Sequence, residues 1–390
     1  MADPELSVVI PCLNEADTIA TCVRKAMRAL DEAGIDGEVI VADNGSTDGS
    51  TDLARSAGAQ VVHVGPKGYG NALMHGIAAS QGRFIVMADA DDSYDLLEIP
   101  KFVDKLRQGA ELAQGCRLPR GGGKIMPGAM PFLHRWWGNP MFSQLARSWF
   151  GSPVNDVYCG MRGFTRQFYD EMDLRCTGME FATEMILKSA VNRRKIAEVP
   201  ITLHRDGRIA GRPHLRTFRD GWRTLRFFLL FSPRWLFLFP GLGSLLLGVV
   251  GYVVAYPQMG FQIAGHLVKF DVNTLLVASL MLLIGFQAIM FAVFTKAFAI
   301  SVGLLPTDPR MDRFLRIINL ERALILAAGM MVIGLAMIGV ALNKWRLVGF
   351  GPLDYPQSLR WVIPGSTLVA LGFESILASF FLSVLGLRRK

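Results

Sequence analysis

Three aspartates within four residues, Asp89-Ala90-Asp91-Asp92, directly follow the apolar run 84–88. Negative charges at the end of a buried strand are costly unless a cation neutralises them. Magnesium and manganese prefer oxygen ligands, and they commonly take one or two carboxylates from a protein and further oxygens from substrate phosphates. The cluster therefore predicts a divalent-metal site that also holds a diphosphate, and helix capping by the aspartates is the alternative.

Polar residues also follow two other apolar runs. The run 39–42 ends in Asp43, and the run 8–10 is followed by Pro11-Cys12-Leu13-Asn14-Glu15. The Asp43 carboxylate can accept the imide or amide hydrogen of a nucleobase. Asn14 and Glu15 either hold a base or ribose or cap the next helix. These residues predict a nucleotide site beside the metal site.

The elements that must position these residues are short strands alternating with amphipathic stretches up to about residue 204. The β-branched and apolar runs 8–10, 39–42, 61–64 and 84–88 predict strands, with helical periodicity between them. This alternation is typical of a parallel sheet with crossover helices. Ligands of such sheets bind at the carboxyl ends of the strands, where the polar clusters lie.

From Trp235 onward the chain changes character. Apolar stretches at about 235–256, 274–302, 323–343 and 362–387 are each near or above the roughly 20 residues that span a bilayer. Basic residues concentrate before the first stretch, between the second and third, and at the C-terminus, which predicts a cytoplasmic N-domain and C-terminus. Four such stretches in succession disfavour buried core helices of a soluble protein. A mean hydropathy of +0.32 also indicates a membrane portion.

The net charge and the cysteines narrow the class of protein further. The net charge of +8 gathers beside apolar segments without a nucleic-acid motif, so lipid surfaces rather than nucleic acid are expected partners. Five cysteines without CxxC pairs indicate neither a disulfide framework nor zinc, and the start of the chain has no signal-peptide pattern. Aromatic and arginine residues in 126–151 and 218–235 predict two interfacial helices, with packing against the catalytic domain as the alternative.

The ordered motifs resemble glycosyltransferase family 2, which has the GT-A fold, and specifically its branch of polyprenyl-phosphate sugar transferases such as dolichol-phosphate mannose synthase. Further segments similar to that family follow in order: Gly65 to Leu73, Gly115-Cys116-Arg117, Asp156 to Phe164, Glu180 with Glu184, and Glu198 to Ile201. The resemblance implies an α/β (Rossmann-like) catalytic domain at 1–215, a juxtamembrane amphipathic helix at 216–234 and a transmembrane domain at 235–390.

The resemblance also implies roles for individual residues. Asp91 with Asp89 would hold Mg²⁺ or Mn²⁺ and the donor diphosphate. Arg117 and Arg162 would contact phosphate groups, since the planar guanidinium binds phosphate oxygens in pairs. The residues around the nucleotide would be Pro11, Asn14, Glu15, Asp43 and Lys67. The family's closing pattern, Arg-x-x-Gly-x-Ser-Lys-Leu, keeps its arginine here as Arg208 but has Pro213 and His214 in place of serine and lysine. The missing lysine charge could come from Arg205, Arg212 or Arg216.

The implied activity is transfer of a hexose from UDP-hexose or GDP-mannose to a polyprenyl phosphate. This acceptor is already largely an anion at neutral pH, so no dedicated general base is required. We expect a single displacement with inversion at the anomeric carbon, because no carboxylate is needed as a covalent nucleophile. The predicted setting is the bacterial inner (plasma) membrane, with nucleotide-sugar, polyprenyl phosphate and membrane lipids as partners; homo-oligomerisation is left open.

Two other functions compete with this one. Gln357-Ser358-Leu359-Arg360-Trp361 spells the QxxRW signature of processive polysaccharide synthases, although the charge bias places it on the side opposite the catalytic domain. A catalytically inactive nucleotide-sugar binder or a lipid-carrier transporter is the other alternative. Lys296 and Glu374 are the charged residues within the spans that such a transporter could use.

Overall fold

The computed structural model describes residues 3–208, 217–263, 266–301, 305–306, 308–317 and 320–387. The chain divides into two compact units, Met1–Phe231 and Ser232–Lys390. The strands of the first unit are β1 Leu6–Cys12, β2 Gly37–Asp43, β3 Gln60–His63, β4 Phe84–Met87, β5 Leu112–Cys116, β6 Lys124–Ile125, β7 Arg162–Thr165, β8 Ile196–Pro200 and β9 Thr202–Leu203. Its helices are α1 Ile19–Ala33, α2 Ser50–Ser56, α3 Tyr69–Ala79, α4 Ile99–Arg107, α5 Asn139–Phe150, α6 Arg166–Met172, α7 Glu180–Val191 and α8 Thr217–Phe231.

The central sheet has seven strands in the order β3-β2-β1-β4-β7-β5-β8. All four strands predicted from apolar runs are present, and β1, β2, β3 and β4 are parallel to their neighbours in that group. The sheet is mixed rather than wholly parallel, because β7 runs antiparallel to both β4 and β5. The expectation of an all-parallel sheet was therefore wrong in this half, where the short run Arg162–Thr165 carries no signal of its direction.

The sheet is covered on both faces, which explains why its strands are continuous apolar runs. In β1, Val8 and Ile10 face one core together with the apolar side of α1, and Val9 faces a second core with α7. This alternation follows the two-residue period of a strand. The arrangement holds the carboxyl ends of β1, β2 and β4 at one edge.

The two stretches predicted as interfacial helices both pack partly on this unit. In α5, Phe142 and Ala146 are buried, and in α8 the ring of Phe228 lies 5.8 Å from that of Phe142 and is fully buried. Other aromatics remain outside: Trp136 is 59% and Trp137 70% exposed, in the π-helical turn before α5. The helix predicted as a separate juxtamembrane segment at 216–234 thus belongs, as far as Phe231, to the first unit.

The described residues of the second unit form helices and one small hairpin. The unit contains α9 Phe239–Ala255, β10 Gly260–Ile263, β11 His266–Lys269, α10 Val272–Ser301, α11 Pro309–Ile317, α12 Leu320–Leu347 and α13 Tyr355–Leu387. Among the residues that the structure describes, four helical segments are long and apolar enough to span a membrane: Arg234–Ala255, Val272–Ser301, Leu320–Leu347 and Tyr355–Leu385. Small residues lie where the helices meet; a Cβ on Gly334 would fall 2.5 Å from the carbonyl oxygen of Gly365. Close approach at glycine is typical of membrane helix pairs.

The charged residues singled out in the second unit have the following contacts. Arg360 of the QxxRW segment pairs with Asp271 at the start of α10 and donates a hydrogen bond to the Tyr256 carbonyl, so it is engaged with the connection between the first two spans. Lys296 pairs with Asp308. Glu374 lines a cavity of about 310 Å³ between α10 and α13, and its Oε2 is buried without a hydrogen-bond partner among the described residues.

Candidate active site

The polar segments predicted as one site do meet at the carboxyl edge of the sheet. Cys12 at the end of β1 pairs with Asp43 at the end of β2, and β4 lies on the other side of β1. Asn14 joins two of the loops: its N–H donates to Ser46 Oγ at 2.9 Å, and its Oδ1 accepts the N–H of Thr47 at 2.8 Å. Asn14 therefore orders the loop that follows β2, in addition to its predicted place beside a nucleotide.

Of the three carboxylates after β4, Asp89 and Asp91 lie near enough to interact, and Asp92 turns away. The hydroxyl of Tyr69 donates to Asp89 Oδ1 at 2.8 Å, while Asp91 Oδ1 accepts from the Ser93 N–H at 3.0 Å and hydroxyl at 2.6 Å. Asp92 turns away and pairs with Lys25 at 2.8 Å. Burial, reinforced by the nearby charge of Asp91, raises the pKa of Asp89 to about 6. A divalent cation would relieve this mutual repulsion.

The donor set fits a metal that shares its ligands with a diphosphate. Gly160 leaves room beside the acid, because a Cβ there would fall 2.6 Å from Asp89 Oδ2. Within the described ranges, no group of three or more His, Cys, Asp or Glu side chains could hold a metal without substrate. Mg²⁺ prefers a site in which the protein supplies one or two carboxylates. Phosphate oxygens and water fill the remaining coordination positions.

A short segment after β9 covers the aspartate loop. The N–H of His204 donates to the Ser93 carbonyl at 2.8 Å, and the N–H of Gly207 donates to the Asp91 carbonyl at 2.9 Å. This brings Arg208 to the site: its Nε donates to Glu15 Oε2 at 2.7 Å and its Nη2 to the other Glu15 oxygen, while its Nη1 donates to Asp206 Oδ2 at 2.8 Å and lies 3.9 Å from Asp91 Oδ2. Glu15 is thus paired with Arg208, a contact that neither residue's motif revealed.

The predicted base-binding carboxylate, Asp43, is held by several donors. It accepts hydrogen bonds from the N–H groups of Gly45 at 3.3 Å and Ser46 at 2.9 Å, and Nδ1 of His63 lies 3.2 Å from its Oδ2. Burial alone raises the pKa of Asp43, but the hydrogen bonds from Ser46, His63 and Gly45 outweigh it and leave that pKa below its ordinary value. Asp43 is therefore an ionised acceptor at neutral pH.

His63 was missed by the sequence reasoning. A usable signal existed, because His63 is the last residue of β3 and pairs in register with Asp43. The end of the neighbouring strand is where a second polar residue of such a site is expected.

Lys67 lies in the glycine-rich segment and reaches back to the loop after β2. Its Nζ donates to the Asn44 carbonyl at 2.7 Å, and the side chain of Asn44 accepts the Gly68 N–H at 2.7 Å. Gly68 has a φ of +133°, which disfavours any residue with a side chain. The segment is therefore fixed beside Asp43 with Lys67 at the rim. Pro11, also predicted to lie beside the nucleotide, is within β1 and buried.

Helix α7 supports the glycine-rich segment through the loop that precedes the helix. Glu184 Oε2 accepts the N–H groups of Arg175 and Cys176, and Lys188 Nζ, 2.8 Å from Glu184 Oε1, donates to the Asp173 carbonyl. The loop held in this way touches the glycine-rich segment, since the Asn71 N–H donates to the Thr177 carbonyl at 3.1 Å. Glu184 is thus a structural support.

The structure does not bring Arg117 or Arg162 to the crevice as free phosphate ligands. Arg162 is fully buried in β7 and donates to the backbone carbonyls of Val157, Cys159 and Ala182. Arg117 makes a two-point ion pair with the buried Asp156, with Nε–Oδ2 2.7 Å and Nη2–Oδ1 2.9 Å. Their donors are consumed inside the protein, which speaks against the predicted phosphate contacts and favours a structural role for both.

We expect Asp156→Asn to lower the free energy of unfolding by about 3–5 kcal/mol, because it leaves the buried guanidinium of Arg117 without its counter-charge. Denaturant unfolding of the full chain in detergent, followed by intrinsic fluorescence, measures the change. The matched control is Asp173→Asn, which removes an exposed partner of Arg175 and should leave the midpoint unchanged. Equal midpoints for the two variants would contradict a structural role for the Arg117–Asp156 pair.

Of the arginines predicted to hold a lipid phosphate, one can be placed. Arg205 is exposed, and its Nε donates to the Pro127 carbonyl at 2.7 Å. Arg212 and Arg216 lie outside the described residues.

The comparisons with known proteins agree with this architecture. Residues 7–173 match the model of glycosyl transferase family 2, and residues 293–386 match the family 2 C-terminal transmembrane region. The low-salt glycan biosynthesis hexosyltransferase Agl6 of Haloferax volcanii is 37% identical over 98% of this chain and 89% of its own length.

Two further relatives match the catalytic portion. The dolichyl-phosphate hexose transferase of Haloferax volcanii is 32% identical over 50% of this chain and 82% of its own length. The undecaprenyl-phosphate 4-deoxy-4-formamido-L-arabinose transferase of Enterobacter sp. (strain 638) is 29% identical over 50% of this chain and 59% of its own length.

The chain belongs to glycosyltransferase family 2. It is an integral membrane glycosyltransferase in which a GT-A catalytic domain precedes four apolar helices.

Proposed function

We propose that this enzyme transfers a hexose from a nucleotide-sugar to a polyprenyl phosphate at the cytoplasmic face of the membrane. The observation that carries the proposal is the convergence of Asp89, Asp91 and the Arg208–Glu15 pair at the sheet edge that also holds Asp43. The names of the relatives support the substrate classes, since one is a hexosyltransferase and another a dolichyl-phosphate hexose transferase. The four apolar segments indicate a membrane protein, and a polyprenyl phosphate is a membrane lipid.

On the donor side, the protein binds the nucleotide and stabilises the departing diphosphate. Asp43 accepts a hydrogen bond from the base, and Lys67 is the nearby cation at the rim of that pocket. Asp89 and Asp91 would hold Mg²⁺ or Mn²⁺, which when bound offsets the negative charge of the diphosphate. Tyr69 and Ser93 fix the two carboxylates so that little reorganisation is needed during the reaction.

On the acceptor side, the task is to hold an anion in line with the anomeric carbon. The Arg208 guanidinium lies next to Asp91 and is held in position by its ion pair with Glu15. This position suits it to bind the acceptor phosphate. We place Arg205 at the outer end of the same segment, with Arg212 and Arg216 as further phosphate ligands. The acceptor oxygen attacks directly, the bond to the diphosphate breaks, and the configuration at the anomeric carbon inverts.

The outer surface of the catalytic domain suits contact with lipid. Trp136 and Trp137 are exposed next to Arg135, whose guanidinium lies 5.5 Å from the Trp136 ring. Aromatic rings with neighbouring basic groups favour the headgroup region of a bilayer. We propose that this surface rests on the cytoplasmic leaflet, the side on which the basic connections of the spans also lie.

The test is incubation of the purified full-length chain with a short polyprenyl phosphate, Mg²⁺ or Mn²⁺, and a panel of radiolabelled nucleotide-sugars. Label extracted into organic solvent as a polyprenyl monophosphate sugar is the expected result, and chelation of the metal should abolish it. Binding of a nucleotide-sugar without any lipid-linked product would instead favour the inactive binder, and a growing polysaccharide would favour the processive synthase.

A further inference from the structure

We propose that Asp206 occupies, on Arg208, the position that the acceptor phosphate takes during the reaction, and that the phosphate displaces Asp206 when it binds. The charge of Asp206 then sets the affinity of the enzyme for its acceptor. This inference rests on the proposed function, because that function assigns Arg208 to the acceptor phosphate. Asp206 lies outside the set of residues that the sequence motifs indicate.

Two carboxylates divide the donors of the Arg208 guanidinium between them. Glu15 accepts from Nε at 2.7 Å and from Nη2, the two-point contact that fixes the direction of a guanidinium. Asp206 accepts from Nη1 at 2.8 Å. The same Nη1 lies 3.9 Å from Asp91 Oδ2. Asp206 is therefore bound to the part of Arg208 that faces the predicted metal site.

The two carboxylates differ in how firmly they are held. The Glu15 side chain is only 7% exposed, and the Glu15 N–H donates to Ser50 Oγ at 2.8 Å. The Asp206 side chain is 43% exposed, and within the described part of the chain its other hydrogen bond is to the Arg208 N–H at 3.0 Å. Breaking a buried ion pair is costly, whereas a partly exposed pair contributes little. An incoming anion therefore displaces Asp206 and leaves Glu15 in place.

The backbone around Asp206 can stay fixed during this exchange. The N–H of His204 donates to the Ser93 carbonyl at 2.8 Å, and the N–H of Gly207 donates to the Asp91 carbonyl at 2.9 Å. These two bonds lie on either side of Asp206 and hold the segment on the aspartate loop. Rotation of one exposed side chain is therefore sufficient to free Nη1 of Arg208.

A phosphate suits the position that the Asp206 carboxylate vacates. Both groups offer anionic oxygens, and the planar guanidinium binds both through the same N–H groups. A phosphate monoester carries a charge of about −1.5 to −2 at neutral pH, so it competes well with a carboxylate of single charge. Bound to Nη1, it would lie on the side of Arg208 that faces Asp91. Because Asp206 has to leave first, its charge lowers the affinity for the acceptor.

The experiment is isothermal titration of farnesyl phosphate into the full chain in detergent, without a nucleotide-sugar. Asp206→Asn removes the competing charge and should bind farnesyl phosphate about three- to fivefold more tightly than the wild type, the effect of one partly exposed ion pair. Farnesol lacks the phosphate and should bind both proteins equally. The direction is informative, because a substitution that only disturbed the site would weaken binding.

The matched control is Asp173→Asn. Asp173 also pairs with an arginine two residues later, since Nε and Nη2 of Arg175 both donate to it, but its side chain is 66% exposed and lies in the loop between α6 and α7. This variant should bind farnesyl phosphate as the wild type does. In an Arg208→Gln background, Asp206→Asn should give no gain, because the competition takes place on the guanidinium.

Unchanged or weaker binding of farnesyl phosphate by Asp206→Asn overturns the inference, as does an equal gain in Asp173→Asn or in the Arg208→Gln background. Failure of both wild type and Asp206→Asn to bind farnesyl phosphate also overturns it. The titration involves no turnover, so its outcome is separate from that of the proposed function. A chain that forms a lipid-linked sugar but shows no gain in Asp206→Asn would refute only the displacement. A chain that shows the gain but forms no lipid-linked sugar would refute only the transfer.

Discussion

Asp91→Asn is expected to lower the rate of sugar transfer by about 10²- to 10³-fold, the range found when one preorganised electrostatic contact to a transition state is removed. The substitution keeps the size of the side chain and its acceptor for Ser93, but it removes the charge that would hold the cation. Transfer of labelled hexose to a short polyprenyl phosphate, extracted and counted at saturating donor, measures the effect.

The adjacent acid provides the matched control for this prediction. Asp92 is separated from Asp91 by one peptide bond but faces Lys25. Asp92→Asn should therefore keep transfer within about threefold of the wild type, since a partly exposed ion pair contributes little. If Asp91→Asn turned over as fast as Asp92→Asn, the carboxylate of Asp91 would have no part in the reaction.

Arg208→Gln is expected to reduce transfer by about 100-fold, because it removes the guanidinium beside Asp91 that we assign to the acceptor phosphate. Arg208→Lys keeps the charge but cannot reproduce the two-point pairing with Glu15, so we expect an intermediate loss. Initial rates at varied polyprenyl phosphate separate the effects: the KM for the acceptor should rise in both variants, while the KM for the nucleotide-sugar stays near its wild-type value.

Two controls accompany the Arg208 variants. Arg24→Gln removes an exposed arginine from α1 and should leave both KM values unchanged. Thermal unfolding checks that Glu15, which is only 7% exposed, does not destabilise the fold when its partner is lost. Full activity in a folded Arg208→Gln variant would remove Arg208 from the reaction.

Much of the fold is predictable because its signals are local. The apolar runs that form β1 to β4 can be recognised by their β-branched composition, and the four spans can be recognised by their length alone. The direction of β7 is different, since a strand of four residues contains no information about the neighbours it will join. Likewise, the amphipathic pattern of α8 does not say whether its apolar face meets lipid or protein, and the burial of Phe228 decides part of that question.

The residues of the candidate site were likewise predictable only where the sequence signal is local. Asp43, Asp89 and Asp91 could be identified because each lies at the carboxyl end of a strand or within a few residues of it, where ligands of such sheets bind. The arginines could not be assigned from motifs, because a guanidinium has five donors and the sequence does not say what consumes them. Arg117 finds its partner 39 residues away in Asp156, and Arg162 finds three carbonyl groups. Arg208 differs from these two in the folded chain because its partners, Glu15 and Asp206, hold it beside Asp91 at the edge of the sheet.

The reversal of direction at β7 divides the crevice into two walls of different origin. β1, β2 and β4 end at this edge, but the antiparallel β7 begins there, so the segment that leads into it places Gly160 against Asp89. The residues that would bind the nucleotide therefore precede residue 92 in the chain. The residues on the opposite side of the crevice follow residue 154. A chimera that exchanged the later stretch to change the acceptor would have to retain Asp156, Arg208 and the loop at Thr177, because these residues support Arg117, Glu15 and the glycine-rich segment on the donor side.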